Sequence, residues 1–414
     1  MHARPGPDDG PMPNPSHEHG AGIVIETQTR AASTGPSGTS RGTLRGTKIR
    51  VLDPNLSIYL DLLRLVAAFE VVLGHARHFV MPGLPGFISG HTGEAVAVFF
   101  VLSGFVIAFV AEEKEHSLRA YATARLSRLY SVCLIALLVG FACDMIANRF
   151  GVVPLRTHSF YDPAYLANLP FALTFTNELW FSHRVFGSNE PYWSLGFEAA
   201  YYVIFAAFFY LGRIRGALIG VLLMIAFGPK VVAYMPIWLF GLLAYRFVRA
   251  GRVTLSKWLA LGMFVATIPA YFLVKRTMEH WAWPMYEPGS ASELARSFVY
   301  FALVGVVITI NIVAFRRAAE GRTVFPATLA RAIRWLAGAS FTLYLIHQPF
   351  LIMLTSLFPG LRTHLLGGPV AIGGAVVLAL LIAEVSERRK RVFQRIVGSL
   401  LGAPPRHEQP KSAG

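Results

Sequence analysis

Long apolar runs constrain this chain more than any other feature. A helix needs roughly 20 mostly apolar residues to cross a bilayer, and such runs recur along most of the 414 residues. Candidate spans lie at 58–80, 95–111, 126–146, 195–211, 217–227, 231–248, 258–274, 298–315, 336–358 and 370–385. The fifth is short by the length rule: it either starts inside Arg213–Arg215 or breaks at Gly228-Pro229. The segment 165–180 is apolar but carries Asn168, Pro170, Asn177 and Glu178, and reads as a re-entrant or interfacial element. The runs are continuous rather than alternating, which favours helices over a closed barrel. Charged residues make up only 15% of the chain, against about a quarter in soluble domains. The expected fold is all-α: a polytopic integral membrane bundle of about ten helices, with the lipid bilayer as its solvent.

Short loops on the cytoplasmic side of such proteins concentrate Lys and Arg. With the N-terminus inside, the inner loops hold Lys114, Arg119, Arg125 and Arg128, then Arg213 and Arg215, Arg246, Arg249, Arg252 and Lys257, and Arg316 through Arg334. The basic stretch from Arg388 to Arg395 also falls inside. The outer loops hold few cations, among them Arg149, Arg156, Arg184, Lys230, Lys275 and Arg362. This places both termini in the cytoplasm and the chain in the inner membrane. The net charge of +15 is mostly this asymmetry and does not indicate nucleic-acid binding. Residues 1–54, rich in Gly, Pro, Ser and Thr, read as a disordered tail with scattered histidines (His2, His17, His19). Residues 55–390 form the membrane domain, and 391–414 a second cytoplasmic tail, disordered after Arg395. Cys133 and Cys143 are ten apart on one span, about 15 Å along a helix, too far for a disulfide. No metal site is expected.

Ionisable groups inside spans are costly, so each is a functional candidate. The first span carries Asp61, Arg64, Glu70, His75, Arg77 and His78. Asp61 and Arg64 are partners at i, i+3. Arg77 and His78 sit at the outer end, where long side chains reach the interface. Glu70 and His75 diverge by roughly 140° around a helix, so a direct contact is not expected. His75 is a candidate general base. Ser103 and Gly104 form a small pair that allows close helix approach. Arg125 and Arg128 share one helix face and suit phosphate oxygens, or serve as ordinary inside anchors. Glu198 enters from the outer side behind Trp193, and a meeting with His75 is geometrically open. His347 stands beside Gln348 and the helix-kinking Pro349.

In their order these segments resemble the acyltransferase-3 family of membrane acyltransferases, which includes O-antigen and nodulation-factor O-acetyltransferases. Arg64 and His75 match an Arg, ten residues, His pattern. Phe99–Phe105 matches Phe-Phe-x-x-Ser-Gly-Phe, and Trp193-Ser194-Leu195 with Glu198 matches Trp-Ser-Leu-x-x-Glu. Tyr344–Pro349 resembles a late Tyr-Leu-x-His-x-Pro element, and Arg125 and Arg128 stand where the family has paired arginines. Glu70 and Ala95 depart from the pattern. The resemblance implies an O-acyltransferase that moves an acyl group, by default acetyl, from acyl-coenzyme A to a hydroxyl of a carbohydrate or lipid-linked glycan of the cell envelope. It implies His75, Glu198 and Arg64 as catalytic residues, and Arg125, Arg128 and Ser103 as contacts to coenzyme A. His347 and Trp193 would touch the acceptor. A transporter or flippase of a lipid-linked sugar is the rival expectation, since it too needs many spans and buried charge; the absence of an internal repeat argues against it.

Overall fold

The computed structural model describes residues 52–251, 254–287 and 289–402. The expected tail, with His2, His17 and His19, lies outside the described residues except for its last three positions, as does Arg252. Among the described residues the chain is helical with no strand, only two isolated β-bridges. The helices are α1 (Pro54–Phe79), α2 (Gly86–Ser89), α3 (Thr92–Glu113), α4 (Leu118–Phe150), α5 (Tyr165–Thr174), α6 (Trp193–Tyr210) and α7 (Arg213–Phe227). They continue as α8 (Pro229–Ala250), α9 (Lys257–Met278), α10 (Ala291–Ala318), α11 (Ala327–Ala337), α12 (Ser340–Leu357), α13 (Gly367–Ala383) and α14 (Lys390–Leu400).

Local chemistry sets these boundaries. Asp53 caps α1 by accepting from the Leu56 N–H at 2.8 Å, with Pro54 at the first helical position. Ser117 and Ser256 cap α4 and α9 in the same way. Ser290 and Glu293 form a reciprocal capping box at α10. The short fifth span meets both expected outcomes: α7 starts at Arg213, and Gly228, at φ +90°, separates it from α8 at Gly228-Pro229.

Among the described residues seven segments are long and apolar enough to cross a membrane: Gly86–Glu113, Leu118–Phe150, Pro229–Ala250, Lys257–Trp281, Ala291–Ala318, Ser340–Leu357 and Gly367–Leu400. Helix α1 has the length, at 26 residues, but carries Asp61, Arg64, Glu70 and Arg77. Helix α7 has only 15 residues. The 165–180 segment folds as the ten-residue α5 and turns out of helix at Phe175, which is left-handed at φ +57°. One expectation fails. The expected tail is helical past Arg395: α14 runs to Leu400 and packs beside α4, where the Arg119 guanidinium donates to the Leu401 carbonyl, and the positions after 402 lie outside the described residues. Its apolar residues Phe393 and Ile396 stand on one side of a basic helix, a pattern suited to a membrane surface.

The interior is aromatic. Trp238, Tyr201, Tyr234, Tyr245 and Tyr300 are fully buried. Large apolar side chains such as Leu222, Leu273, Val377 and Leu381 face outwards, as a lipid-facing surface requires. At the centre α3 crosses α8 backbone to backbone. A Cβ on Gly104 would stand 1.9 Å from the Trp238 carbonyl oxygen, and one on Gly241 would stand 1.9 Å from that of Val101. The small residue beside Ser103 therefore serves the close approach expected for it. That crossing also brings the Trp238 indole N–H to the Ser103 hydroxyl at 3.2 Å.

Candidate active site

Three cavities share walls along the bundle. The first, about 260 Å³, is lined by Arg64, Lys114, Arg125, Arg128, Glu387 and Lys390 among others. A narrow central cavity, about 50 Å³, keeps Arg64, Arg125 and Arg128 and adds Ser103, Glu198, Tyr202 and Tyr344. The third, about 300 Å³, shares Val96 and Tyr344 with the central one and contains His75 and Trp193. The central cavity thus adjoins the basic one on one side and the histidine one on the other.

At the basic end Arg64 lies 3.3 Å from Asp61, the i, i+3 partnership read from sequence. Arg125 pairs with Glu115 at 2.8 Å. The Arg125 and Arg128 Nε atoms are buried and have no hydrogen-bond partner among the described residues. Buried donors of this kind normally have partners, so both guanidiniums retain capacity for an anion. Glu387 lies beside them, held by the Thr342 N–H and hydroxyl at 3.3 Å each.

In the middle, Glu198 accepts hydrogen bonds from the Tyr202 hydroxyl and from Ser103 at 3.1 Å. Tyr202 follows Glu198 by one helical turn. The anticipated meeting of Glu198 with His75 does not occur, because Glu198 points into the central cavity and its partners come from α3 and α6. Tyr344 stands between the cavities, its hydroxyl 2.9 Å from Ser194 Oγ and 3.1 Å from the Pro191 carbonyl.

The partner of His75 is His347. His75 Nδ1 lies 2.7 Å from His347 Nε2, and His347 Nδ1 lies 3.1 Å from the Leu343 carbonyl. A carbonyl only accepts, so His347 Nδ1 carries the proton and its Nε2 is an acceptor. His75 Nδ1 must then donate. This leaves a lone pair on His75 Nε2, on a residue that lines the third cavity. His347 itself is fully buried and lines none of the three cavities, so it backs the site rather than facing it. Glu70, as expected, does not touch His75; it accepts from the backbone N–H of His91 at 3.1 Å.

The family model for an acyltransferase domain matches residues 57–384. The chain belongs to this acyltransferase family. Comparison with curated proteins and with solved structures returned no match. The matched region runs from within α1 through α13 and includes every site residue expected from the sequence, and it makes the protein a membrane acyltransferase with an acyl donor and an acceptor. Among the described residues no group of three His, Cys, Asp or Glu side chains gathers as metal ligands. Cys133 and Cys143 are free and buried.

Several wall residues escaped the sequence reading. Tyr202 was accessible from its i+4 spacing to Glu198. Glu387 and Lys390 were hidden inside a basic stretch that reads as membrane anchoring. Glu190, which lines the third cavity, had no signal at all: it opens the single 3-10 turn before the Trp193 motif, whose direction only packing defines.

Proposed function

We propose that this acyltransferase moves an acyl group, acetyl by default, from acyl-coenzyme A to a hydroxyl of a carbohydrate-type acceptor of the cell envelope. The observation that carries the reading is the series of adjoining cavities, basic at one end and lined by a histidine at the other. Arg64, Arg125 and Arg128 hold the donor phosphates, with the guanidinium fork suited to bidentate contact. Arg64 and His75 are eleven residues apart on α1, about 16 Å along the axis, a span that an extended pantetheine arm covers. The arm passes Ser103, Glu198 and Tyr202, whose polar atoms suit its amides, and brings the thioester towards Tyr344 and His75. With the basic mouth on the cytoplasmic side of the inner membrane, donor and acceptor arrive from opposite faces.

His75 Nε2 takes the proton of the acceptor hydroxyl as its oxygen attacks the thioester carbonyl carbon. The tetrahedral intermediate collapses by breaking the C–S bond. The thiolate leaves and takes the proton from the imidazolium, so coenzyme A departs as the thiol and the base is regenerated. His347 keeps His75 in the correct tautomer throughout and acts as a positioning residue. Trp193 lines the acceptor side. No acyl-enzyme is needed.

The test is coenzyme A release from acetyl-coenzyme A by the purified protein with envelope glycans, comparing wild type with His75→Ala. Release that is lost in a folded His75→Ala variant supports the base. Equal release by both removes His75 from that role. Movement of a lipid-linked sugar without donor consumption would favour a transporter.

A further inference from the structure

The third cavity has the opposite charge to the first. Among the described residues Glu94, Glu190 and Glu279 line it against one ammonium, Lys275, and no arginine. Lys275 lies 2.7 Å from Glu94 and 3.0 Å from Glu279, so one positive charge is shared between two carboxylates. Glu190 is held by neutral donors only: the Tyr286 hydroxyl at 2.9 Å and the Gln348 amide at 3.4 Å. No cation stands at ion-pair distance from Glu190 among the described residues. Behind Tyr286, Lys230 is matched by Glu178 at 2.6 Å and adds no net charge. His75 is neutral in the tautomer its hydrogen bonds impose. Trp193, Trp283, Tyr286 and Phe301 supply aromatic walls.

We infer that this cavity selects acceptors whose reacting unit carries no negative charge, a neutral or amino-bearing sugar rather than a uronate, and that Glu190 is the main determinant of this choice. Calling the ligand an acceptor rests on the acyltransferase reading; the charge selection does not. Surplus carboxylate in a partly dehydrated site repels an incoming carboxylate and accepts hydrogen bonds from hydroxyl or ammonium groups. The aromatic faces suit the C–H surface of a sugar ring. The same field keeps donor phosphates from entering at the wrong end, so the two cavities sort the two substrates by charge.

A probe that needs no turnover tests this directly. Iodoacetamide and iodoacetate deliver the same electrophilic methylene, one neutral and one anionic. Each forms an N–C bond at His75 Nε2 and releases iodide. Mass spectrometry of the His75 peptide, from folded protein in detergent, gives the ratio of the two rates. In Glu190→Gln that ratio, neutral over anionic, should fall on the order of three- to tenfold, because one unit charge is removed from the field the anion meets. Glu279→Gln, altering a half-exposed carboxylate of the same cavity, should move it in the same direction by less. An unchanged ratio in both variants, or no alkylation by either reagent, overturns the inference. With acetyl-coenzyme A as donor, octyl glucoside and octyl glucosaminide should be acylated about tenfold better than octyl glucuronide, and Glu190→Gln should narrow the gap; a preference for the glucuronide overturns it. Failure of all acyl transfer would sink the proposed reaction while leaving the alkylation ratio as the measure of the field.

Discussion

Replacing His347 by alanine removes the acceptor of the His75 Nδ1–H, now 2.7 Å away, and leaves that donor in a buried apolar setting. A neutral buried hydrogen bond contributes about 1 kcal/mol net, and orphaning one partner costs roughly 1–3 kcal/mol. His75 regains tautomeric and rotational freedom, and only a fraction of the population presents the Nε2 lone pair to the acceptor. At about 1.4 kcal/mol per decade of rate, kcat should fall roughly ten- to hundredfold. That is less than the roughly 10²- to 10⁴-fold expected for His75→Ala, where the base itself is lost. The donor KM should hold, because the arginines line the other end. His347→Gln keeps an amide oxygen for the His75 N–H and an amide N–H for Leu343, and should recover part of the rate. The assay is steady-state coenzyme A release with a thiol-reactive dye, donor and acceptor varied separately. Full kcat in His347→Ala would refute the tautomer argument. So would an effect confined to donor KM. The double variant should be little worse than His75→Ala alone, since the two histidines act as a unit.

Arg128→Ala should raise the KM for acyl-coenzyme A about ten- to hundredfold, the loss expected for hydrogen bonds to a charged group, and weaken its salt dependence; donor titration at two ionic strengths checks both. Gly104→Ala drives a methyl group against the Trp238 carbonyl oxygen, 1.9 Å from the ideal Cβ position, and should part α3 from α8. The expected result is a lower melting temperature and lost activity, read by thermal unfolding of the purified protein. Lys230→Met leaves buried Glu178 with His183, 2.8 Å away, in place of its 2.6 Å ammonium partner and should cost on the order of 3 kcal/mol, the low end for a broken buried pair, while the Lys230→Met, Glu178→Gln double variant recovers much of it. A melting temperature unchanged in the single variant would show the pair to be dispensable.

The apolar runs alone determined that the chain forms a helical membrane bundle, because backbone polar groups in lipid must be satisfied within each helix. The i, i+3 pair Asp61–Arg64, the shared face of Arg125 and Arg128, and the small Gly104 were legible for the same reason: each depends on helical geometry within one segment. Ser103, Arg64, Arg125, Arg128 and Glu198 line a common cavity, whereas the sequence had set Glu198 beside His75 towards the outside and Arg125 and Arg128 inside. What only the tertiary structure decided was which side chain meets which across helices. His75 was matched in sequence with Glu198 on depth alone. The rotation of α1 against α12 instead presents it to His347, more than 270 residues further along the chain. Glu190 and Glu387 enter the cavity walls from short 3-10 turns, where no periodicity reports direction. Depth in a membrane follows from position along a helix; facing follows from packing, and the choice of partner for a buried histidine is a matter of facing.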